Sequence, residues 1–429
     1  MKYTPIGKDL FIRNREKLKA RFEPRSVAIF NSNDIMPTNG DGTMPFRQNS
    51  NLLYLSGIDQ EESILLVAPD FPDPRYREVL FLKETSELIA IWEGHKYTKE
   101  EAQESSGIKT VVWKEDFERI LSTVLAESDH IYLDTNEHIR SGSDVQTRND
   151  RFILWCKEHH PLYKYERLAP IMYDLRAVKE TRETELLQQA CHITAKGFRR
   201  VLGFIKPGVW EFEVEAEYIH EFKRNRSRGF SFDPIIAGGA NSCVLHYIEN
   251  NQQLRDGDIV LMDIGAEYAN YFGDMTRVVP VNGRFSNRQK AVYNAVLRVK
   301  QAAGEMLTSG NTLPEYHKAV GNVMEGELLD LGLIDKTDIK NQSADWPAYK
   351  KYFMHGTSHH LGLDVHDVGS IYKEFEPGMV FTVEPGIYIP DEKIGIRLED
   401  DVVITETGYL NMMEGVPLDP EEIEDLMNA

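Results

Sequence analysis

Acidic residues in the second half of the chain lie where apolar side chains are expected. Ile259, Leu261 and Asp263 fall on one face by the two-residue period of a β-strand, so a carboxylate lies in line with residues that should point inward. Asp274 follows in what reads as an adjoining strand. A lone buried carboxylate is costly. The stretch 254–280 therefore predicts a site for a cation.

The same spacing occurs a second time. Asp263 follows Gly257 by six residues, and Glu384 follows Gly378 by six residues in the segment EPGMVFTVEPGIYI. Another glycine comes two residues after each carboxylate. These agreements predict a duplicated unit whose two copies face a shared site.

Each copy also contains a second carboxylate and a histidine. Asp274 follows the first carboxylate by eleven residues, and Glu399 follows the second by fifteen. His246 precedes the first carboxylate by seventeen residues, and His366 precedes the second by eighteen. The two halves therefore agree in the order of their reactive groups as well as in their glycines.

The candidate metal ligands are four carboxylates and one imidazole: Asp263, Asp274, His359, Glu384 and Glu399. This oxygen-rich set suits Mn²⁺, Co²⁺ or Zn²⁺ and lacks the thiolates of a structural zinc site. Four crowded carboxylates repel one another, and two divalent ions balance their charge formally. We therefore expect two ions, with Mn²⁺ as the first choice.

Histidines cluster in MHGTSHHLGLDVHDVG, where the glycines indicate a loop or a helix end. Spacing alone does not choose between His359 and His360 as the ligand. Arg397 and Glu399 share a strand face, so the arginine can pair with a ligand carboxylate. Asp400 should point away from the site, and we expect it to be solvated.

The elements around these residues predict an α/β (α+β) chain. Residues 1 to about 170 contain four expected strands (Val27–Phe30, Ile64–Val67, Val79–Leu82, Ile131–Leu133) and four expected helices (Asp9–Arg21, Lys99–Ser105, Phe117–Glu127, Asp144–His159). The polar segment PFRQNSNLLYLSG is interpreted as a turn that enters a strand. In the second half, a pair of helices followed by strands occurs twice, and His246 is expected at the end of a strand.

Composition excludes several classes of partner. The 429-residue chain has a formal net charge of −20, which disfavours binding to nucleic acid or to anionic membranes. Its three cysteines are too widely spaced for a disulfide framework, and the N-terminus lacks the apolar centre of a signal peptide. We therefore expect a cytoplasmic protein with no nucleic-acid or membrane partner.

At this point a family resemblance becomes specific. The motifs DIGAEYANYFGDMTR, HGTSHHLGLDVHD, VEPGIYI and GIRLEDDVVIT resemble those of the pita-bread metallopeptidases, and PFRQNSNLLYLSG adds a resemblance to their aminopeptidase P branch. The resemblance implies a creatinase-like α/β domain at residues 1–172. It also implies a pita-bread catalytic domain at 173–429 with pseudo-twofold duplicated α/β halves, in a homodimer or homotetramer.

The resemblance also implies roles for single residues. Asp274 and Glu399 match the ligands that bridge the two metals. Asp263 matches the remaining ligand of one metal. His359, rather than His360, and Glu384 match the remaining ligands of the other metal. A second set matches groups that act on the substrate: Glu384 as proton acceptor, the pocket histidines His246, His355 and His366, and the supporting arginine Arg397. The implied reaction is attack by a hydroxide held between two metals, which releases the first residue of peptides with proline in second position.

Two departures and three alternatives accompany this interpretation. His360 stands where a larger aromatic residue is expected, which concerns the shape of the pocket, and the loop from Pro390 to Ile394 is short. A proline dipeptidase is the main alternative, although Ser358 in the HGxSH pattern favours the aminopeptidase. A methionine aminopeptidase does not usually carry such an N-terminal domain. An inert binding module on the same scaffold typically loses ligands.

Overall fold

The chain divides into two compact units in the computed structural model, which describes residues 3–429. One unit is Pro5–Arg176, and the other is Ala177–Ala429 together with Tyr3 and Thr4. The division falls four residues after the junction expected between residues 172 and 173. The segment expected to be a junction instead forms a strand and a helix that complete the first unit.

Helices and strands alternate along the first unit. They are α1 (Lys8–Lys19), β1 (Ser26–Asn31), α2 (Ser50–Ser56), β2 (Ile64–Val67), β3 (Glu78–Leu82), α3 (Glu87–Glu93), α4 (Lys99–Ser106), β4 (Thr110–Trp113), α5 (Phe117–Leu125), β5 (His130–Leu133), α6 (Arg148–His159), β6 (Lys164–Arg167) and α7 (Ala169–Ala177). All eight expected elements form; the strand Ile64–Val67 has the predicted bounds, and the other seven have shifted ends. For example, α6 begins at Arg148 rather than Asp144 because the Thr147 hydroxyl accepts a hydrogen bond from the Asp150 N–H.

The strands of this unit form one mixed sheet of six strands in the order β4-β3-β2-β1-β5-β6. The central pairs β1/β2 and β2/β3 are antiparallel, and the outer pairs are parallel. Val27, Ile29, Leu66 and Phe81 point to one side, where they pack with the apolar face of α5. Burial of this face accounts for the apolar runs that predicted the strands.

The segment PFRQNSNLLYLSG leads into a helix, so the interpretation as a turn that enters a strand is wrong. The Asn49 side chain accepts hydrogen bonds from the N–H groups of Asn51 and Leu52, both at 3.0 Å, and thereby caps α2. Gly57 ends the helix at φ 68°. The capping asparagine was the signal for a helix that the apolar residues after it obscured.

The second unit contains six helices and ten strands among the described residues. They are α8 (Thr181–Leu202), α9 (Glu211–Arg224), β7 (Ile235–Gly238), β8 (Ile259–Ile264), β9 (Glu267–Tyr268), β10 (Tyr271–Phe272), β11 (Met275–Pro280), α10 (Asn287–Met306), α11 (Leu313–Asp330), α12 (Lys336–Asn341), β12 (Val380–Val383), β13 (Gly386–Ile389), β14 (Ile394–Arg397), β15 (Asp400–Thr405), β16 (Gly408–Asn411) and α13 (Pro420–Met427). None of the helices described in residues 3–429 has both the length and the apolar character needed to cross a membrane.

The duplicated pattern of the sequence corresponds to two similar halves. The pair α8/α9 precedes the three-stranded sheet β11-β8-β7, and the pair α10/α11 precedes the three-stranded sheet β12-β15-β16. Gly257 stands just before β8 and Gly378 just before β12, with φ of 83° and 91°. Both turns use the left-handed backbone region that glycine enters without strain. The fold is therefore α/β with a duplicated second unit, as expected.

Candidate metal centre

Each half of the second unit places two carboxylates at neighbouring ends of two paired strands. Asp263 lies in β8, opposite Thr276 of β11, and Asp274 directly precedes β11. In the other half, Glu384 directly follows β12, and Glu399 directly precedes β15. Because β8 pairs with β11 and β12 pairs with β15, each half gathers its two acidic groups at one end of a strand pair.

The halves are joined at Thr276 and Glu399. The backbone N–H of Glu399 donates to the carbonyl of Thr276 at 3.1 Å, and the Thr276 hydroxyl donates to Glu399 Oε2 at 2.6 Å. Asp274 and Glu399 are only 4% and 2% exposed. Carboxylates from both copies of the motif are therefore buried together.

His359 completes the cluster from the loop between α12 and β12. Its Nε2 lies 3.6 Å from Asp274 Oδ2 and 3.7 Å from Glu384 Oε1. One ligand atom each from Asp274, His359 and Glu399 lies within 4.8 Å of the others. His359 Nδ1 lies 3.0 Å from the carbonyl of His360, so Nδ1 carries the proton and the Nε2 lone pair faces the carboxylates.

Arg397 holds the fourth carboxylate. Its guanidinium donates to Asp263 Oδ2 at 2.5 Å, to Thr276 Oγ1 at 3.0 Å and to the Tyr388 hydroxyl at 2.8 Å. Asp263 Oδ1 is buried and has no hydrogen-bond partner. This oxygen remains available as a ligand on the side of Asp263 that the arginine does not contact.

The charges at this site fit a bound cation. Burial raises the pKa of Asp274 and of Glu399 well above the ordinary range, and the neighbouring carboxylates raise both pKa values further. Arg397 is a single positive charge beside four acidic groups, so it cannot balance them. The unpartnered Asp263 oxygen, the oriented His359 ring and the oxygen-rich donor set all suit divalent ions.

A relay of hydrogen bonds runs from Arg397 to His355. Arg397 donates to the Tyr388 hydroxyl, and that hydroxyl lies 2.8 Å from His355 Nε2. His355 Nδ1 lies 2.8 Å from the carbonyl of Gly356 and 3.7 Å from Glu384 Oε2, so Nδ1 carries the proton and Nε2 accepts. Burial, with the nearby Arg397, lowers the pKa of His355 to about 3. His355 is therefore neutral at physiological pH.

Tyr388 is a residue that sequence reasoning missed. Strand alternation in GIYI places its side chain on the same face as Gly386, the glycine that follows Glu384 by two residues, and this pattern was the available signal. Its role becomes visible only when β13 pairs with β14, which sets Tyr388 and Arg397 at bonding distance.

The other two predicted histidines lie at the exposed border of the cluster. The His366 ring meets the His359 ring edge to face, with centroids 4.5 Å apart. His246 is exposed in the loop between β7 and β8 rather than at a strand end. The structure therefore brings His366 against a candidate ligand and leaves His246 on a separate exposed loop.

The expectation that Asp400 is solvated is wrong. Asp400 points away from the cluster but is not solvated: it is buried, accepts a hydrogen bond from Arg277 at 2.6 Å and pairs with Lys300. These two cations outweigh the effect of burial and hold the pKa of Asp400 well below its usual range. His360 is also buried, and the centroids of its ring and of the Phe381 ring lie 4.4 Å apart.

The comparisons with known proteins agree with this geometry. Residues 185–406 match metallopeptidase family M24, and residues 11–132 match the aminopeptidase P N-terminal domain. The chain is 34% identical to the Xaa-Pro aminopeptidase of Haemophilus influenzae, with 99% of this chain and 98% of the relative covered. It is 35% identical to that of Escherichia coli, with 99% of both covered.

A solved structure shows the same fold. Aminopeptidase PepP of Pseudomonas aeruginosa superimposes with a TM-score of 0.89 at 32% identity, covering 99% of this chain and 98% of that one. Full-length similarity at this level, a family match over the duplicated unit and a buried cluster of ligand side chains all point to one family. The chain belongs to metallopeptidase family M24.

Proposed function

We propose that the chain is an aminopeptidase that releases the N-terminal residue from peptides with proline in second position. The observation that carries this proposal is the buried cluster in which Asp274, His359 and Glu399 bring ligand atoms within 4.8 Å. Relatives that share its whole length are Xaa-Pro aminopeptidases. The Xaa-Pro bond is a tertiary amide without an N–H, so proteases that require that hydrogen bond cleave it poorly.

Two divalent ions would be held by five residues: Asp263, Asp274, His359, Glu384 and Glu399. When bound, such ions polarise a scissile carbonyl and lower the pKa of water towards about 7. Mn²⁺ suits the four carboxylates and single imidazole, with Co²⁺ and Zn²⁺ as alternatives. Arg397 fixes the Asp263 carboxylate by donating to Oδ2, which would leave Oδ1 to bind a metal ion.

The remaining residues transfer protons, stabilise the charge that develops on the substrate, or position the peptide. Glu384 lies between His355 and His359 and serves as proton acceptor and donor. His366 and His355 are assigned to stabilising the negative charge that develops on the substrate carbonyl oxygen, and His355 takes this role when its Nδ1–H turns from the Gly356 carbonyl to that oxygen. His246 lies in an exposed loop, where it helps to position the peptide.

The test compares an Xaa-Pro-Yaa tripeptide with the matching Xaa-Pro dipeptide, after chelation and after Mn²⁺ is restored. We expect cleavage of the first bond of the tripeptide only with metal, and no cleavage of the dipeptide. Asp274→Ala and Glu399→Ala should abolish turnover, whereas Glu406→Ala, at an exposed turn, should not. Preference for the dipeptide would instead identify a proline dipeptidase, and absence of both activities and of bound metal would identify an inert binding module.

Three further parts of the proposal rest on the family resemblance. Mn²⁺ as the native metal is tested by metal analysis of protein purified without added metal. A homodimer or homotetramer is tested by sedimentation, and a cytoplasmic location by fractionation of the source cells. A monomer in solution would overturn the second part without affecting the reaction.

A further inference from the structure

The loop that contains His246 is held by one buried carboxylate at its base. We call residues 239–252 the His246 loop; it leaves β7 at Gly238 and returns before β8. Glu211, the first residue of α9, is 0% exposed and faces both ends of this loop. None of the residues assigned above to the metal or to the substrate contacts Glu211, so the proposed reaction leaves this buried charge unexplained.

Both carboxylate oxygens of Glu211 accept hydrogen bonds from the loop and its edge. Oε1 accepts from the Gly238 N–H at 2.8 Å and from Asn241 Nδ2 at 3.2 Å, where the loop departs. Oε2 accepts from the Tyr247 hydroxyl at 2.7 Å and from the Gln252 N–H at 2.8 Å, where it returns. One carboxylate therefore ties together two segments that the loop would otherwise leave free to separate.

The backbone around Glu211 strengthens this connection. The N–H of Glu211 donates to the carbonyl of Gln252 at 3.0 Å. No ion pair with a lysine or arginine is formed by Glu211 among residues 3–429, so its charge is balanced by four donors and by the N-terminus of α9. Burial and the Glu211 carboxylate raise the pKa of Tyr247 to about 12, so this hydroxyl remains a donor at physiological pH.

The loop in turn contacts the strand that carries Arg397. Ser242 Oγ accepts a hydrogen bond from the Gly395 N–H at 2.8 Å. A Cβ atom at position 395 would lie 2.0 Å from the Ser242 carbonyl oxygen, so the two backbones meet without room for a side chain. His246 lies near the middle of the loop, four residues after Ser242, and its side chain is exposed. Displacement of the loop would therefore move His246 relative to β14, the strand that carries Arg397.

We propose that Glu211 is a positioning residue that holds His246 in place for the peptide by clamping both ends of the His246 loop. This inference rests on the proposed function, because it assumes that His246 contacts the substrate. Glu211 itself does not touch the reacting atoms. Its removal should loosen the loop and weaken substrate positioning while leaving the metal ligands in place.

The experiment compares Glu211→Gln with Glu213→Gln. Both changes remove one negative charge from the first turn of α9, but Glu213 accepts only the Trp210 N–H, and glutamine preserves that capping bond. In Glu211→Gln, an amide NH₂ faces donors, so at least one end of the loop loses its acceptors. Hydrogen exchange of residues 239–252 should rise at least about tenfold in Glu211→Gln and stay unchanged in Glu213→Gln.

Kinetics then test whether the effect acts through His246. We expect kcat/KM for an Xaa-Pro-Yaa tripeptide to fall about tenfold in Glu211→Gln, with metal content unchanged. In a His246→Ala background the same change should have almost no further effect, because the group that the loop positions is already absent. If Glu211→Gln fails to fold, Tyr247→Phe removes one of the four bonds, and exchange should rise near residues 247–252.

Different results separate this inference from the proposed function. Unchanged exchange in the loop would overturn it, and so would an equal loss of kcat/KM with and without His246. If the wild-type chain cleaves no Xaa-Pro tripeptide, the proposed function fails, and hydrogen exchange alone decides whether Glu211 holds the loop.

Discussion

Thr276 connects groups from both halves of the duplicated unit through a single hydroxyl. The hydroxyl donates to Glu399 Oε2 and accepts from Arg397 Nε, and Arg397 in turn holds Asp263. The threonine therefore orients one candidate ligand directly and a second through the arginine. Replacing Thr276 therefore tests how strongly activity depends on the positions of these carboxylates.

We predict that Thr276→Val lowers activity while preserving the fold. Valine keeps the shape of threonine in a buried strand but leaves the Arg397 Nε without this acceptor and Glu399 without this donor. We expect kcat to fall about tenfold and the free energy of unfolding to fall by roughly 1–3 kcal/mol. Steady-state kinetics and urea unfolding measure the two effects. Thr405→Val, in β15, is the control, and equal kcat in both variants would contradict the role given to Thr276.

Single residues show how far the sequence could predict the site. Spacing predicted Asp263, Asp274, Glu384 and Glu399 as candidate ligands, because strand period and local repeats carry that information. It failed for Asp400, whose partners Arg277 and Lys300 lie 123 and 100 positions away in the chain. Contacts between residues so far apart in the sequence depend on how the helices and strands pack. The periodicity of the sequence carries no information about that packing. An acidic residue that pointed away from the site was therefore wrongly expected in solvent.

At the level of elements, the repeated glycines explain why the duplicated motif keeps its spacing. Gly257 and Gly378 both turn the chain in the left-handed region just before a strand that leads to a candidate ligand. Their surroundings differ. A Cβ at position 257 would meet nothing within 4 Å, whereas one at position 378 would lie 3.0 Å from Val178 Cγ1 and 3.2 Å from the Lys179 carbonyl oxygen.

This difference predicts unequal costs for the same substitution. Gly257→Ala should destabilise the chain by about 1 kcal/mol, since only the positive φ is unfavourable there. Gly378→Ala should cost more, because its Cβ also requires the neighbouring backbone to shift. Urea unfolding of both variants gives the comparison. A smaller loss for Gly378→Ala would show that the turn adapts and that the contacts around it are loose.

The elements also show why a repeated pattern was easier to predict than a cap. The strands of both halves follow apolar runs with clear ends, and most expected helices and strands formed within a few residues. The segment before α2 was misinterpreted because one side-chain oxygen, that of Asn49, decides its conformation. A helix cap is signalled by one residue, whereas a periodic pattern is signalled by many residues. Periodicity is therefore the stronger signal for predicting secondary structure.

For the molecule as a whole, repulsion within the acidic cluster lowers the stability of the folded chain when no cation is bound. Burial and mutual repulsion raise the pKa values of Asp274 and Glu399, so ionisation of both carboxylates costs free energy in the folded chain. A ligand that binds only the folded state stabilises it by mass action. Divalent ions should therefore stabilise the unit that carries these residues, independently of any turnover.

We predict that chelation lowers the melting temperature of the second unit and that Mn²⁺ restores it. At a free ion concentration of 100 times Kd, the gain should be about 2.7 kcal/mol for one site. Asp274→Asn should show the reverse pattern: it removes one repelling charge, so the chelated variant should melt above the chelated wild type, yet respond little to Mn²⁺. Glu406→Gln, at an exposed carboxylate, should behave as the wild type. Calorimetry of all three proteins, with chelator and with Mn²⁺, measures these effects. A wild-type melting temperature that is unaffected by both chelator and Mn²⁺ would show that the cluster does not bind this ion in the folded chain.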